Sequence, residues 1–322
     1  MTRHTPAARI RAALILLALL LAAQYILALP AGAEYAPVFK PVHDKKGRLW
    51  IAIRRFTEGA RTSFLAVDPL SFNTSVMEES ALGGAAPDAE WNSTPYARAL
   101  EIYNAPSPGL QDGGLRRAAG KGGLFLTVDL CPSSKKLDME LFKAAMEQPH
   151  LEGKPLPIAI AISGMWMERH EDELAWILGM EKKGGLSITW VNHSFSHPYD
   201  SESPLEENFL LKPGVDFEKE VLEDEQALLR RGLLPSPFFR FPGLVADKGL
   251  LERLKNLFLI PVGADAWLAK GAKPVEGSII LVHGNGNEPE GVKKLFEFYE
   301  TKKKNSGLGE LRFLPLRDAL AE

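Results

Sequence analysis

The stretch LPIAIAISGMWMERHEDELAWILGMEKKGGLSITWVNHSFSH, residues 156–197, decides the fold of this chain. It contains two short apolar runs, Leu156–Ile162 and Leu186–Val191, which are typical of strands buried on both faces. The amphipathic segment between them, Glu171–Lys182, predicts a helix. A strand, a helix and a second strand in this order predict one βα unit of a parallel sheet.

The same alternation continues on both sides of this stretch. Because βα units repeat in one run, we expect an α/β barrel or a doubly wound sheet. No glycine-rich phosphate loop opens a helix, which disfavours a nucleotide-binding fold. The further predicted strands are Leu124–Val128, Pro237–Phe241, Phe258–Val262, Ser278–Val282 and Leu311–Leu316, and the further helices are Leu137–Gln148, Phe217–Arg231, Asp247–Asn256 and Glu290–Lys303.

Polar residues suited to acid, base, ligand or clamp chemistry stand at the ends of five of these strands. Such groups are costly at the ends of apolar strands unless they are paired or bound. In a barrel the chemistry lies at the carboxyl ends of the strands, so we expect these side chains on one face. They are Asp129, the pair His193 and His197, Arg240, the pair Asp265 and Trp267, and His283.

Metal ligation is the chemistry that the histidine spacing favours. His193 and His197 are four residues apart, and two imidazoles at that spacing can converge on one zinc ion. The chain has one cysteine, Cys131, so a multi-cysteine zinc site and an intrachain disulfide are excluded. The formal net charge is -3 over 322 residues, so no basic field attracts a nucleic acid partner.

The first residues predict export. Three arginines precede the apolar run Ala12–Leu29, and Ala31-Gly32-Ala33 follows as a small-x-small site. This pattern is typical of a secretory signal cut after Ala33. An uncleaved anchor formed by residues 12–29 is the alternative, since ~20 apolar residues span a bilayer. Both interpretations predict a periplasmic or extracellular protein, with the anchor as its one membrane contact.

The chain divides into three parts by composition. Residues 1–33 are the predicted signal. Residues 34–118 form an N-terminal extension with two predicted strands, Leu49–Ile53 and Ser63–Val67, and a Gly- and Pro-rich wrap or linker after them. Residues 119–322 carry the βα units and are predicted to be the catalytic domain.

The ordered motifs of this last part resemble the polysaccharide deacetylases, the carbohydrate esterases with a NodB-homology domain. The resemblance covers roughly residues 120–320 and implies a distorted (β/α) barrel, here preceded by a small β-containing extension. Residues 127–132, Thr-Val-Asp-Leu-Cys-Pro, partly match the family's Thr-Phe-Asp-Asp-Gly-Pro. The other matches are residues 193–197 to His-Ser/Thr-x-x-His, 240–242 to Arg-x-Pro, 265–267 to the late Asp/Trp motif and 281–283 to Leu-x-His.

This resemblance implies a metal-dependent hydrolase that removes N-acetyl or similar acyl groups from an envelope or extracellular glycan. It implies that His193 and His197 bind zinc and that Asp129 is the general base. Arg240 would clamp that base, and His283 would protonate the leaving amine. Asp265 is a further catalytic candidate, because the family's late aspartate falls on Gly263 here. The predicted substrate-binding residues are Trp267, Phe241 and Pro242.

One departure affects the metal. The family's second aspartate is a ligand, and Leu130 occupies its position. Asp129 itself is one substitute, and Cys131, Asn192 and Asp200 are others. Successive residues leaving a strand point in different directions, which argues against Cys131. A degenerate carbohydrate-binding protein is a second hypothesis, and a hydrolase of another C–N or glycosidic bond is a third.

Overall fold

The computed structural model describes residues 33–305 and 310–320. The strands are β1 (Glu34–Asp44), β2 (Leu49–Glu58), β3 (Arg61–Val67), β4 (Thr74–Glu78), β5 (Leu82–Ala85), β6 (Gly123–Leu130), β7 (Leu156–Ile162), β8 (Leu186–Asn192), β9 (Pro235–Phe239), β10 (Ile260–Pro261), β11 (Ala266–Trp267), β12 (Ile279–His283) and β13 (Arg312–Phe313). The helices are α1 (Asp88–Asn92), α2 (Pro95–Tyr103), α3 (Met139–Met146), α4 (Gly164–Arg169), α5 (Glu171–Lys182), α6 (Phe217–Arg230), α7 (Lys248–Asn256) and α8 (Pro289–Lys304).

The predicted barrel is confirmed as a curled parallel sheet. Its strands follow the order β10-β9-β8-β7-β6-β12-β11, and β13 also pairs with β6. Every pairing within this sheet is parallel. All seven residues of β7 are buried, as the continuous apolar run predicts for a strand covered on both faces.

Some predicted boundaries move. The strand predicted at Phe258–Val262 shrinks to Ile260–Pro261, because Phe258 adopts φ 59° and Leu259 N still bonds to Leu254 O of α7. The strand predicted at Pro237–Phe241 begins and ends two residues earlier. Arg240 therefore follows β9 directly instead of lying within it.

The N-terminal extension is more regular than expected. Its antiparallel sheet has the order β4-β3-β2-β1-β5, and α1 and α2 lie in the stretch predicted as a wrap. Residues 111–117 then run along the barrel through isolated bridges to Val245, Val262 and Ser278. The two predicted strands are present as β2 and β3, and their apolar residues, such as Ile51 and Leu65, share one core with the barrel.

A buried ion pair joins the sheet to the barrel. Arg54 of β2 donates to both carboxylate oxygens of Glu225 in α6, at 2.6 and 2.8 Å, and to Leu257 O at 2.9 Å. Tyr35 of β1 also donates to Glu225, at 2.9 Å. Both charged side chains are excluded from solvent. Such a pair requires accurate geometry, so the two parts meet in a defined orientation.

Apart from Ala33, the predicted export segment lies outside the described residues. Among the residues that are described, no helix combines the length and the apolar character needed to cross a bilayer.

Candidate active site and metal centre

The carboxyl ends of neighbouring strands bring four of the predicted residues together. Asp129 lies near the end of β6 and pairs in register with His283, the last residue of β12. His193 follows β8, and Arg240 follows β9, where its backbone N–H donates to Asn192 O. One mouth of the barrel therefore gathers a carboxylate, a guanidinium and imidazoles.

Asp129 is held by Arg240. The Arg240 Nη1 atom donates to Asp129 Oδ1 at 2.6 Å and to Thr127 Oγ1 at 2.6 Å. Its Nη2 atom donates to Gly263 O at 3.0 Å, the position where the resemblance leads one to expect an aspartate. A Cβ at Gly263 would meet Gly113 O at 2.8 Å, so the site has no room for a side chain there. The other Asp129 oxygen, Oδ2, lies 3.8 Å from His193 Nε2.

The loop after β8 directs both histidines to one point. Ser194 and His197 adopt φ values of 64° and 47°, a left-handed conformation that is uncommon for residues other than glycine. The Ser194 side chain accepts a hydrogen bond from His197 N at 3.2 Å. His193 Nδ1 lies 2.8 Å from Arg240 O, a carbonyl that can only accept. Nδ1 therefore carries the proton, and the lone pair of Nε2 is free to bind a metal.

The side chains of Leu130, the last residue of β6, and of Cys131, the next residue, point to opposite sides of the sheet. Leu130 packs with Leu124, Leu126 and Val128 in the helix-facing core. The expectation that Cys131 points away from the site was wrong, because the strand period of two puts residue 131 on the same side as Asp129. The Cys131 Sγ atom lies 3.5 Å from His193 Nε2.

The donor set of Cys131, His193 and His197 fits a tetrahedral zinc ion. Their ligand atoms all lie within 4.8 Å of one another. Zinc bonds of ~2.3 Å to sulfur and ~2.05 Å to nitrogen at a tetrahedral angle place the two atoms about 3.6 Å apart. The observed separation of 3.5 Å between Sγ and Nε2 matches this value.

The electrostatics favour the ionised thiol. Burial raises the pKa of Cys131, but the neighbouring imidazoles of His197, His283 and His193 lower it by more, and the net pKa lies well below the ordinary value. Burial lowers the pKa of His197, and the neighbouring thiolate raises it by more. Thiolate is the form that ligates metals.

His283 has a carboxylate partner that sequence reasoning missed. Its Nδ1 atom lies 2.7 Å from Glu288 Oε2. The two atoms form a close ion pair, but their angles do not meet the geometry of a hydrogen bond. Trp267 Nε1 donates to the same oxygen at 2.9 Å, and the Trp267 ring centre lies 6.1 Å from that of His283. Burial lowers the pKa of His283. Cys131 and Glu288 raise it by a larger amount, so the net pKa lies well above 6.5.

Three predicted residues are not brought to this cluster. Asp265 accepts from Ser278 Oγ at 3.0 Å and from Ile279 N at 2.9 Å, at the amino end of β12 and thus opposite His283. Phe241 is buried and packs its ring on Phe217 and Phe239. Pro242 is also buried. Asp265 therefore lies at the other end of β12 from His283, and Phe241 and Pro242 offer little exposed surface. The catalytic role of Asp265 and the substrate-binding roles of Phe241 and Pro242 stay predictions.

Two alternative ligands are occupied elsewhere. Asn192 Nδ2 donates to Val221 O at 2.9 Å, and its Oδ1 accepts from Ser194 N at 2.9 Å. Asp200 pairs with Lys212 at 3.7 Å and caps Glu202 N at 3.0 Å within its own loop. Of the substitutes considered for the missing aspartate, Cys131 has the fitting geometry.

Three residues of the site were not predicted from the sequence to act there, and only one of them could have been identified from a sequence pattern. Cys131 was recoverable, because residues 127, 129 and 131 share one face of a strand by its period of two. Glu288 had no sequence signal, since an acidic residue before Pro289 resembles an ordinary helix start. The buried Asn285, which donates to Cys131 O at 2.7 Å, also had none.

Comparison with protein families matches only the N-terminal part. The model described as the RP012 protein N-terminal domain matches residues 33–95. This range contains β1 to β5 and α1, and it ends before the barrel.

Solved structures that resemble the chain include a family 4 carbohydrate esterase from Bacillus anthracis, with 18% identity and a TM-score of 0.45 over 74% of this chain and 94% of that one. A chitin deacetylase from Colletotrichum lindemuthianum has 16% identity and a TM-score of 0.42, over 67% and 92% of the two chains. A wild-type CE4 family pseudoenzyme from Bacillus anthracis has 13% identity and a TM-score of 0.42, over 88% and 90%.

Proposed function

We propose that this chain is a metal-dependent hydrolase that removes N-acetyl or similar acyl groups from a glycan. The observation that carries the proposal is one convergence at the barrel mouth. An arginine-held carboxylate, a thiolate–imidazole donor set and a carboxylate-paired imidazole meet there. Amide hydrolysis needs a base, an electrophile and an acid, and these groups supply all three roles.

Asp129 takes the proton from the attacking water. Arg240 holds Oδ1, so the carboxylate cannot rotate, and Oδ2 stays directed toward the donor set. The carboxylate is 3% exposed, which keeps bulk water from competing for it. A base positioned in this way contributes roughly 10²–10⁴-fold to the rate.

His283 returns a proton to the leaving nitrogen. Glu288 pairs with Nδ1 and thereby orients Nε2 toward the cluster. Trp267 donates to Glu288 and fixes the carboxylate in turn. The wall formed by Trp267 offers a flat aromatic surface beside the reacting group, which suits a sugar ring.

Cys131, His193 and His197 would hold the metal. A divalent ion bound there would supply Lewis-acid chemistry for acyl transfer. A soft thiolate with two imidazoles favours zinc over magnesium or calcium. The carbonyl oxygen of Arg240 accepts a hydrogen bond from His193 Nδ1 and thereby fixes the tautomer in which Nε2 can bind a metal.

Acetate release from N-acetylated glycans tests this proposal. The native chain should release acetate with Zn²⁺ or Co²⁺ added, and Asp129→Asn should lose at least ~100-fold of that rate. Equal rates for the two proteins contradict the proposed chemistry. A panel of glycosides and other amides separates deacetylation from cleavage of another C–N or glycosidic bond.

Leu130 motivates the alternative of a catalytically degenerate glycan binder. That alternative predicts no stoichiometric metal and no acetate release, together with retained glycan affinity. Elemental analysis of the native chain and of a His193→Ala, His197→Ala double variant distinguishes the two. Stoichiometric metal in the native chain that the double variant lacks supports the enzyme.

We also propose that the mature protein acts outside the cytoplasm, on an envelope or extracellular polysaccharide. The basic head, the apolar run of residues 12–29 and the small-x-small site support this localisation. N-terminal sequencing of the protein recovered from periplasmic, medium and membrane fractions tests it. A chain that starts at Met1 and stays in the cytoplasm contradicts it.

A further inference from the structure

A second cleft, remote from the barrel mouth, lies between the N-terminal sheet and the barrel. Its volume is about 590 Å³. One wall comes from the sheet and includes Trp50 and Ser75, and the other comes from the barrel and includes Thr189 and Ser236. The barrel wall uses the middle of β8 and the first part of β9, whereas His193 and His197 follow the carboxyl end of β8.

The two walls are held rigidly. The bidentate pair of Arg54 and Glu225 fixes β2 against α6. Tyr96 of α2 donates a hydrogen bond to Phe258 O, after α7. Ligand sites are commonly largely preformed and lie at the interfaces between such units. The cleft therefore has the location and rigidity of a binding site.

The lining offers several polar groups. The hydroxyl residues Ser75, Thr189 and Ser236 and the amide of Asn73 border the cleft. Arg317 donates to Asn73 Oδ1 at 3.0 Å. Trp50 and Trp190 also border the cleft, but they are only 9% and 5% exposed. A few fixed polar groups are typical of a small-molecule site.

Glu181 supplies a carboxylate without a cation. Its Oε1 atom accepts from Ile188 N at 3.2 Å, and among the described residues it forms no ion pair. Burial raises the pKa of this half-buried carboxyl. A partly buried carboxylate in this condition is stabilised by a ligand that donates hydrogen bonds, such as a hydroxyl group.

The charges of the lining select a neutral ligand. Arg48 pairs with Asp68, and Arg317 lies 3.9 Å from Asp318, so neither guanidinium is fully available to an anion. Glu181 repels an anion, and it is the one acid that the described part of the chain contributes to the lining, so the cleft holds no cluster of carboxylates for a cation. A neutral, polyhydroxylated ligand matches a lining that offers both donors and acceptors.

We propose that this cleft binds a neutral oligosaccharide and that the N-terminal sheet serves as its second wall. Binding of this class of sugar does not depend on catalysis at the barrel mouth. The further step, that the sugar is the N-acetylated glycan on which the enzyme acts, rests on the proposed function.

Calorimetry on the full chain tests the proposal with the N-acetylglucosamine tetramer as probe. An Asp129→Asn background prevents turnover. We expect two binding events per chain, and Thr189→Trp, which fills the cleft, should abolish one and leave the other. Ser187→Trp is the matched control, because Ser187 is exposed two residues earlier on β8 and is absent from the lining.

Ser75→Trp fills the cleft from the opposite wall, so a folding defect in one variant does not end the test. Unchanged stoichiometry in a folded cleft-filling variant overturns the proposal. Cleft binding of a de-N-acetylated or uronic acid oligomer in preference to the neutral one overturns the assignment to a neutral sugar. Failure of acetate release by the native chain, with two binding events retained, contradicts the proposed function and leaves this inference standing.

Discussion

Leu130 and Cys131 are adjacent in the sequence and face opposite sides of the same barrel wall. Leu130 is completely buried in the helix-facing core, and Cys131 meets His193 on the inner side. The residue that the resemblance matches to a ligating aspartate is therefore not the residue that faces the histidines. Cys131, the next residue along the chain, faces them instead.

Cys131→Ala should remove a metal ligand. We expect the affinity for Zn²⁺ to fall by more than the ~10–100-fold that is typical of a residue that only supports a ligand. Cys131→Asp should retain stoichiometric metal, because a carboxylate oxygen is also a zinc ligand. The Co²⁺-loaded native chain should show a thiolate-to-metal charge-transfer absorption that both variants lack. Persistence of that band in Cys131→Ala refutes thiolate ligation.

Leu130→Asp restores the family's motif but should not restore a ligand. The new carboxylate would replace a leucine packed against Val128 and close to Gly284, with no partner in that core. An unpaired buried charge should lower the free energy of unfolding by at least ~4 kcal/mol. Denaturant titration measures this loss. A variant with native stability and tighter metal binding would show that residue 130 can face the site.

Glu288→Gln should reduce kcat while leaving KM nearly unchanged. Glutamine still accepts from Trp267 Nε1 but cannot form the ion pair with His283 Nδ1. We expect a loss of ~10-fold or more in kcat, because His283 without its carboxylate partner is less often protonated and less well oriented as the general acid. Glu290→Gln, at an exposed position in the first turn of α8, is the matched control. Equal kcat values for the two variants exclude a role for Glu288.

Asp224→Asn should stabilise the protein at neutral pH. Burial raises the pKa of Asp224 well above 3.8, and its Oδ1 atom has no hydrogen-bond partner. Between pH 3.8 and the raised pKa the folded chain holds a proton that the unfolded chain has lost, so stability falls as pH rises through this window. The asparagine side chain does not ionise, so the stability of the variant does not fall with pH for this reason.

We therefore expect the variant to be more stable than the native chain at pH 7 and to gain nothing below pH 3.8. Unfolding titrations across this range measure the difference. A gain that is constant with pH assigns the effect to packing instead of ionisation.

Arg54→Met should break the junction between the N-terminal sheet and the barrel. It leaves Glu225 buried without its cation, which costs ~3–5 kcal/mol of unfolding free energy. The double variant with Glu225→Gln should recover part of this loss, because glutamine still accepts from Tyr35. Lys255→Met removes a comparable but exposed pair with Glu101 and should cost under ~1 kcal/mol. Similar costs for both single variants contradict a buried junction.

Periodicity in the sequence was sufficient for the barrel. The predicted bounds of β7 and α5 match the structure, because strands buried on both faces and amphipathic helices have distinct repeats. The β-containing N-terminal extension was predicted through two of its strands, β2 and β3, and β1, β4 and β5 were not predicted. Its strands carry mixed polar and apolar residues, and Gly83 and Gly84 lie within β5, so local composition resembles a linker.

Local order in the sequence determined the motifs, the strand ends and therefore the barrel mouth that carries Asp129, His193, Arg240 and His283. Tertiary structure decided which side chains meet there. Glu288 reaches His283 only because α8 begins beside β12, and Asp265 lies away from them because it precedes β11 and accepts from Ile279 N at the amino end of β12. Such contacts depend on how elements distant in the sequence pack together, and no local pattern encodes that packing.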